Sequence, residues 1–398
     1  MLFCVAVLLS CGGKQSGERG DAAQQEIDEK HFTAEPAPDW TNLFVRKSGW
    51  FGGDGIFAIP LSGKDDGKSD SLLFLFSDTM VGEIRNDTLQ PGFVMVNNSV
   101  ALLKGKAPVS SNLAFRIAGE KNAYKAIFTP DTNKPDKDTY LWLGDGFANP
   151  DAGKDVFIFA YQITNTHDKS PFPFKETGNV LIRIPAGSPF PYAGQQQKSL
   201  PFNNYRSGEE TISFGAGVFN NTEGAGEPDA DGFVYVYGIK GKNKQLVTAR
   251  VKPGAIDSFD QWEFRNSSGW SRDVKSAGAI SDSVSNEMSV SRLGKGKYAL
   301  VYQLGGILPE ICMQVGPTPA GPFGKRIILY KTTSDIRDTD LFTYNAKAHP
   351  ALSAPGELLI SYNVNSFQFF DVLPKKPDLY RPRFVRVKFG QPTTHASH

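Results

Sequence analysis

Five short aromatic runs recur along this chain, and no other feature restricts its fold as strongly. They span residues 73–78, 156–162, 233–238, 298–303 and 358–363. Aligned on Phe76, Tyr161, Tyr237, Tyr302 and Tyr362, they lie 85, 76, 65 and 60 residues apart. Each is apolar with almost no alternation, as expected of a strand packed on both faces. Each is followed by a further amphipathic strand, for example at residues 99–103, 180–184 and 246–250. The 40 Gly, 26 Pro, 29 Phe and 13 Tyr in 398 residues favour many short strands joined by turns. No convincing amphipathic helix is visible. Five repeats of three or four strands predict an all-β chain, a five-bladed β-propeller. A large β-sandwich with uneven loops is the alternative.

The ends of the chain read differently. Residues 1–10 are apolar, and Leu8-Leu9-Ser10-Cys11-Gly12 has the small-residue-then-Cys pattern of a bacterial lipoprotein cleavage site. Residues 1–11 are therefore expected to be a signal segment, with Cys11 lipidated and holding the protein at the bacterial cell envelope, facing the periplasm or the exterior. A secretory signal with a chance cysteine is the alternative. Either way the segment is too short to span a membrane. Residues 12–39 are polar and aperiodic and read as a flexible tether, which leaves 40–398 as one domain. Cys312 then has no partner and reads as a core residue rather than a nucleophile.

Forty-three basic and 42 acidic residues give a formal charge of +1, which lacks the footprint of a nucleic-acid binder. No motif requires an organic cofactor or a metal, although the central channel of a propeller has room for a structural cation.

In a propeller blade the first strand lines the channel and the second returns antiparallel to it. The start of the first and the end of the second therefore share one face. Asp54, in Gly52-Gly53-Asp54-Gly55, opens the first strand of blade one, and Asp78 closes the second. Asn97 and Asn98 begin the third. Glu287 opens the first strand of blade four, and His349, before Pro350, is read as doing so in blade five. Gln303 and Asn363 close second strands. Asp145 reads as ending an inner strand, at the opposite mouth. Two Asp, one Glu and one His around one mouth suit glycoside hydrolysis, in which one carboxyl protonates the leaving oxygen and another attacks or activates water. Asp54, Asp78 and Glu287 are the catalytic candidates. Asn98, His349, Gln303, Asn363 and Trp50 are the substrate-binding candidates, with Phe51, Tyr302 and Tyr362 as further rings able to stack on sugars. Each has a plain structural role available: Asp54 capping a Gly turn, Asp78 binding loop amides, Glu287 pairing with Arg292, His349 packed in a turn.

Several segments resemble a known family. Gly-Gly-Asp54-Gly, Phe-Ser-Asp78-Thr, Asn97-Asn98-Ser99-Val, Asn286-Glu287-Met-Ser-Val, Thr318-Pro-Ala-Gly-Pro-Phe323, Ala348-His349-Pro350 and Tyr380-Arg-Pro-Arg-Phe384 are similar to bacterial propellers catalogued as domain of unknown function 4185. That family includes endo-D-arabinanases of glycoside hydrolase family 183. The resemblance covers about residues 45–389 and implies a five-bladed fold with catalytic aspartates at Asp54 and Asp78. Phe323 stands where the family's turn has Trp. The expectation is an exported glycoside hydrolase acting on a furanose-rich polysaccharide. The competing readings are a non-catalytic glycan-binding lipoprotein and a partner-binding scaffold.

Overall fold

The computed structural model describes residues 27–390, apart from 122, 132–137, 171–172, 204–210, 335 and 337. The chain is all-β. Five antiparallel sheets follow one another, each adding strands in sequence order from its first strand outward. Sheet I is Phe57–Pro60, Ser71–Phe76, Ser99–Lys104 and Leu113–Arg116. Sheet II is Thr139–Ala148, Val156–Asn165, Phe174–Ile184 and Gln196–Ser199. Sheet III is Ile212–Asn221, Phe233–Lys240, Gln245–Val251, Glu263–Asn266 and Gly269–Ser271. Sheet IV is Met288–Gly294, Lys297–Gln303, Glu310–Gly316 and Ile327–Lys331. Sheet V is Leu341–Ala348, Glu357–Ser366 and Arg383–Gly390, completed by Asp28–Pro36 from the other end of the chain.

The aromatic runs seen in the sequence are the second strands of these sheets. In sheet I every residue from Leu72 to Phe76 is buried. Both faces are apolar because both are covered. One hydrophobic cluster joins sheets I and II through Ile59, Leu75, Leu143 and Ile158, and the next joins II and III through Phe159, Phe214 and Val236. Further clusters join III to IV and IV to V. The first strands touch in the order I, II, III, IV, V, and the turn Pro350–Leu352 of sheet V packs back on the first strand of sheet I. The order of neighbours thus returns to its start.

Two features depart from the sequence reading. Residues 28–36, read there as tether, are the outermost strand of sheet V, pairing from Phe32↔Phe389 to Pro36↔Val385. Lys297 Nζ reaches Glu29 Oε2 at 2.6 Å, and the following helix Pro38–Leu43 buries Trp40 and Leu43. An edge strand is held by main-chain hydrogen bonds and needs no apolar run, so its polar sequence resembled a linker. The folded domain therefore begins near Ile27 rather than at Trp40. The second feature is an accessory sheet in which Ser48–Gly53, ahead of sheet I in the chain, pairs with Thr79–Arg85, and Thr88–Leu89 and Val94–Val96 add to it; the last three strands lie between the second and third strands of sheet I. Among the described residues no helix is long and apolar enough to cross a membrane. Cys4 and Cys11 lie outside the described residues.

Candidate active site

Asp54 and Asp78 flank the first two strands of sheet I. Asp54 precedes Phe57–Pro60, and Asp78 follows Ser71–Phe76. Their backbones are joined: the Asp54 amide donates to the Asp78 carbonyl at 3.2 Å, and the Ser77 amide donates to the Asp54 carbonyl at 2.9 Å. Gly55 makes this closure possible. Its φ is +65°, and a Cβ there would sit 2.9 Å from the Ser77 hydroxyl oxygen. Both aspartates are partly open to solvent within an otherwise buried stretch.

Each carboxylate accepts from an aromatic side chain of a neighbouring sheet. Tyr344, on the first strand of sheet V, donates its hydroxyl to Asp54 Oδ2 at 2.8 Å. Trp142, on the first strand of sheet II, donates Nε1–H to Asp78 Oδ1 at 2.8 Å, and Asn97 donates to the same oxygen at 3.3 Å. Burial pushes Asp78 up to about 7, with the charge of Asp54 adding to it and the Trp142 and Asn97 donors pulling back. Burial likewise raises Asp54, against the hydroxyls of Tyr380 and Tyr344 and the charge of Lys347. Two close carboxyls that both resist ionisation titrate as a pair, one keeping its proton while the other gives its up.

Glu287 stands just before the first strand of sheet IV and is largely buried. Asn345 donates to its Oε1 at 2.7 Å, and Lys347 Nζ forms an ion pair with Oε2 at 2.6 Å. Burial raises Glu287 to about 7; Lys347 pulls it down and Asp54 pushes it up. Tyr344, Asn345 and Lys347 all come from one irregular stretch, where the ladder of sheet V slips between Tyr344 and Lys347 and Asn345 takes a φ of +59°. Such a bulge breaks strand alternation and lets near-consecutive residues address the same group of acids.

The substrate-binding candidates are corrected by the structure. Asn98 is wholly buried: its side chain donates to the carbonyls of Phe128 and Leu141 at 2.8 and 3.0 Å and accepts the Phe128 amide at 2.8 Å. Gln303 is buried, donating to the Leu308 carbonyl and the Thr343 hydroxyl. Asn363 is buried and reaches the Gly53 carbonyl at 3.4 Å. Trp50 is stacked on Phe115 at 4.2 Å inside the cluster of Phe44 and Phe76, and Phe51, Tyr302 and Tyr362 are core residues too. Gln303 ends a second strand and Asn98 stands just before a third, as the sequence placed them, whereas Asn363 lies inside its strand, Glu357–Ser366, rather than closing it. They turn inward because each meets main-chain groups or rings of the next element.

His349 is displaced for another reason. It follows the first strand of sheet V instead of opening it, so it lies at the far end, where its amide donates to the Leu359 carbonyl. There its Nε2 meets the Ser361 hydroxyl at 2.7 Å, and burial lowers its proton affinity to about 3, which keeps it neutral. Asp145 lies within the first strand of sheet II, in the ladder slip between Leu143 and Gly146. It accepts the Val218 amide at 2.7 Å and lines a cavity shared with Lys347, His349 and Glu227. Among the described residues no group of three or more His, Cys, Asp or Glu is placed to hold a metal ion. Cys312 is buried in sheet IV, its thiol pushed up to about 11, as fits a core residue.

Sequence reasoning missed Tyr344, Trp142, Asn345 and Lys347. A lysine between two alanines in Asn345-Ala346-Lys347-Ala348 was a readable signal, because a strand so poor in bulk must be closely covered.

Solved structures resemble the fold at low identity. A candidate hydrolase from Bacteroides ovatus superposes with a TM-score of 0.66 at 21% identity, over 93% of this chain and 97% of that one. An exo-β-1,3-galactanase from Phanerochaete chrysosporium, solved with β-1,3-galactotriose, gives a TM-score of 0.45 at 9% identity, over 86% of this chain and 60% of its own. A xylan β-1,4-xylosidase from Bacillus halodurans gives 0.43 at 9% identity, over 80% and 50%. No curated protein sequence matches. Residues 38–389 match the family described as Domain of unknown function (DUF5005), nearly the whole folded region, and the chain belongs to that family.

Proposed function

We propose that this chain is a five-bladed β-propeller glycoside hydrolase whose working acids are Asp54 and Asp78. The blade count is supported by five consecutive sheets whose first strands contact one another in chain order, by the turn Pro350–Leu352 that returns to the first strand of sheet I, and by the N-terminal strand that completes the last sheet. The observation that carries the chemistry is the aspartate pair itself. Two partly exposed aspartates are locked together through the backbone, each oriented by a donor from an aromatic side chain; burial raises the proton affinity of both, and the charge of Asp54 raises that of Asp78 further. One member, protonated, gives its proton to the leaving glycosidic oxygen. The other, ionised, attacks the anomeric carbon or activates a water against it. Glu287 supports the pair from sheet IV through the charge balance of the channel.

The furanose-rich polysaccharide expected from the motif resemblance, with arabinan first to be tried, is the substrate we assign. Export and lipid attachment at Cys11 belong to the same reading and rest on the residues around Cys11 alone. The test is a polysaccharide panel assayed for new reducing ends, with Asp54→Asn as control. Release of ends by the wild type and none by the variant supports hydrolysis. Saturable binding with no release from any polysaccharide would overturn it in favour of a glycan-binding protein.

A further inference from the structure

The donors around the two aspartates do not decide which of them ionises. Asp54 accepts from tyrosine hydroxyls, Asp78 from Trp142 and Asn97, and both sets favour the anion. What differs is the nearest fixed charge. The charged neighbour of Asp78 is Asp54, whereas Asp54 also feels Lys347.

Lys347 is an unusual residue for the centre of a β-fold. Its side chain is only 1% exposed, and its Nζ lies 2.6 Å from Glu287 Oε2. The same ammonium sits 4.6 Å from the centre of the Phe57 ring, three residues after Asp54. Lys347 also follows Tyr344 by three residues, and the Tyr344 hydroxyl is on Asp54. An ammonium buried this deeply is costly unless anions surround it. Asp54 before sheet I, Asp145 on sheet II and Glu287 before sheet IV all lie within its electrostatic reach, and neutral His349 is on its own element. Tyr161, whose hydroxyl is buried, faces Glu287 and Asp145 from sheet II. The cation thus contacts Glu287 and acts through space on Asp54 and Asp145, whereas the charge acting on Asp78 is that of Asp54.

We propose that Lys347 is a positioning residue that makes Asp54 the ionised member of the pair and leaves the proton on Asp78. The proposal rests on the reading of Asp54 and Asp78 as the working pair, and it assigns their roles. Asp54 is the nucleophile or base, and Asp78 is the proton donor. The ion pair with Glu287 holds the ammonium at its place over Phe57, so Glu287 acts through Lys347 and not on the sugar.

The test needs no substrate. Protein labelled with ¹³C at aspartate carboxyls is titrated by NMR, with the two signals identified by their loss in Asp54→Asn and Asp78→Asn. In the wild type Asp54 ionises at lower pH than Asp78. Lys347→Met raises the Asp54 midpoint by about one unit or more, a roughly tenfold change in proton affinity, and narrows or reverses the order. Lys347→Arg retains the wild-type order. An Asp54 midpoint that moves by less than about half a unit in a folded Lys347→Met protein overturns the proposal. If Lys347→Met does not fold, the double variant Glu287→Gln/Lys347→Met is titrated instead and compared with Glu287→Gln alone, which removes the Glu287 repulsion from both; the Asp54 midpoint is expected to be higher in the double variant. Failure of that variant to fold as well would make Lys347 structural only and would equally overturn the proposal. A titration that moves as expected beside a blank polysaccharide panel would retain the charge assignment and reject hydrolysis.

Discussion

Asp54 and Asp78 are tied to each other by main chain rather than by side chain. The Asp54 amide donates to the Asp78 carbonyl at 3.2 Å while Ser77 returns a bond to the Asp54 carbonyl at 2.9 Å. Two carboxylates cannot hydrogen-bond to one another when both are ionised, so a close pair must be held by something else. Here the backbone does it, and Tyr344 and Trp142 set the direction of each carboxyl from sheets on either side.

Replacing either acid by its amide removes the proton chemistry and keeps the shape. Asp54→Asn and Asp78→Asn are each expected to lower kcat by about 10²–10⁴-fold, the usual worth of a general acid or base. Reducing-end assays measure the loss, and near-ultraviolet circular dichroism should remain that of the wild type.

Trp142→Phe deletes one donor to Asp78 without changing the volume greatly. The Nε1–H bond lowers the proton affinity of Asp78, so its loss raises it further above about 7. With Asp78 as proton donor, the alkaline limb of the pH–rate profile moves to higher pH. An unmoved limb would separate Asp78 from the acid role.

Folding stability should fall as pH rises through neutrality. Asp78, Asp145 and Glu287 are each lifted to about 7 in the folded protein. In the unfolded chain they titrate at roughly 4, so the folded state holds the extra protons between these values. Their stabilising contribution is complete below about pH 4 and lost as pH climbs through about 7. His349, lowered to about 3, opposes this only below its unfolded value of roughly 6.5. Calorimetry should therefore show Tm rising when pH is lowered from about 8 to about 6.5, with a smaller rise in Asp78→Asn.

Asn98→Ala tests the corrected role of that residue. The wild-type side chain satisfies the Phe128 amide and two carbonyls in a fully buried place. Truncation leaves them without partners and is expected to cost about 2–4 kcal/mol in denaturant unfolding. A surface residue that merely contacted a glycan would cost little there.

Removing residues up to Pro36 strips the outer strand from sheet V and exposes the edge of Arg383–Gly390. The expected outcome is a lower Tm and concentration-dependent association on gel filtration, because an unpaired edge templates pairing with other chains. Removal of residues 1–26 leaves that strand in place and should change neither.

The legibility of this protein in its sequence divides along physical lines. Continuous apolar runs such as Leu72–Phe76 announce a strand covered on both faces, because local composition reports burial. The positions of Asp54, Asp78 and Glu287 at strand ends followed from the same repeats. Misreading His349 came from a strand boundary, since Leu341–Ala348 carries too few large apolar residues to mark where it starts. The first strand of the domain was missed because its order comes from partners more than three hundred residues away.

The sequence by itself determined an all-β chain of five recurring strand sets and put two aspartates at the ends of neighbouring strands. Periodicity and burial are local properties, written into each segment wherever it packs. Only the tertiary structure decided which polar side chains gather around the acids and which are spent inside the protein. It brought Trp142, Tyr344 and Lys347 to the acids from sheets II and V, and it turned Asn98, Gln303 and Asn363 onto main-chain or side-chain partners. Those contacts join residues far apart in the chain, and a side chain's direction there depends on bulges and neighbours that no short stretch of sequence encodes.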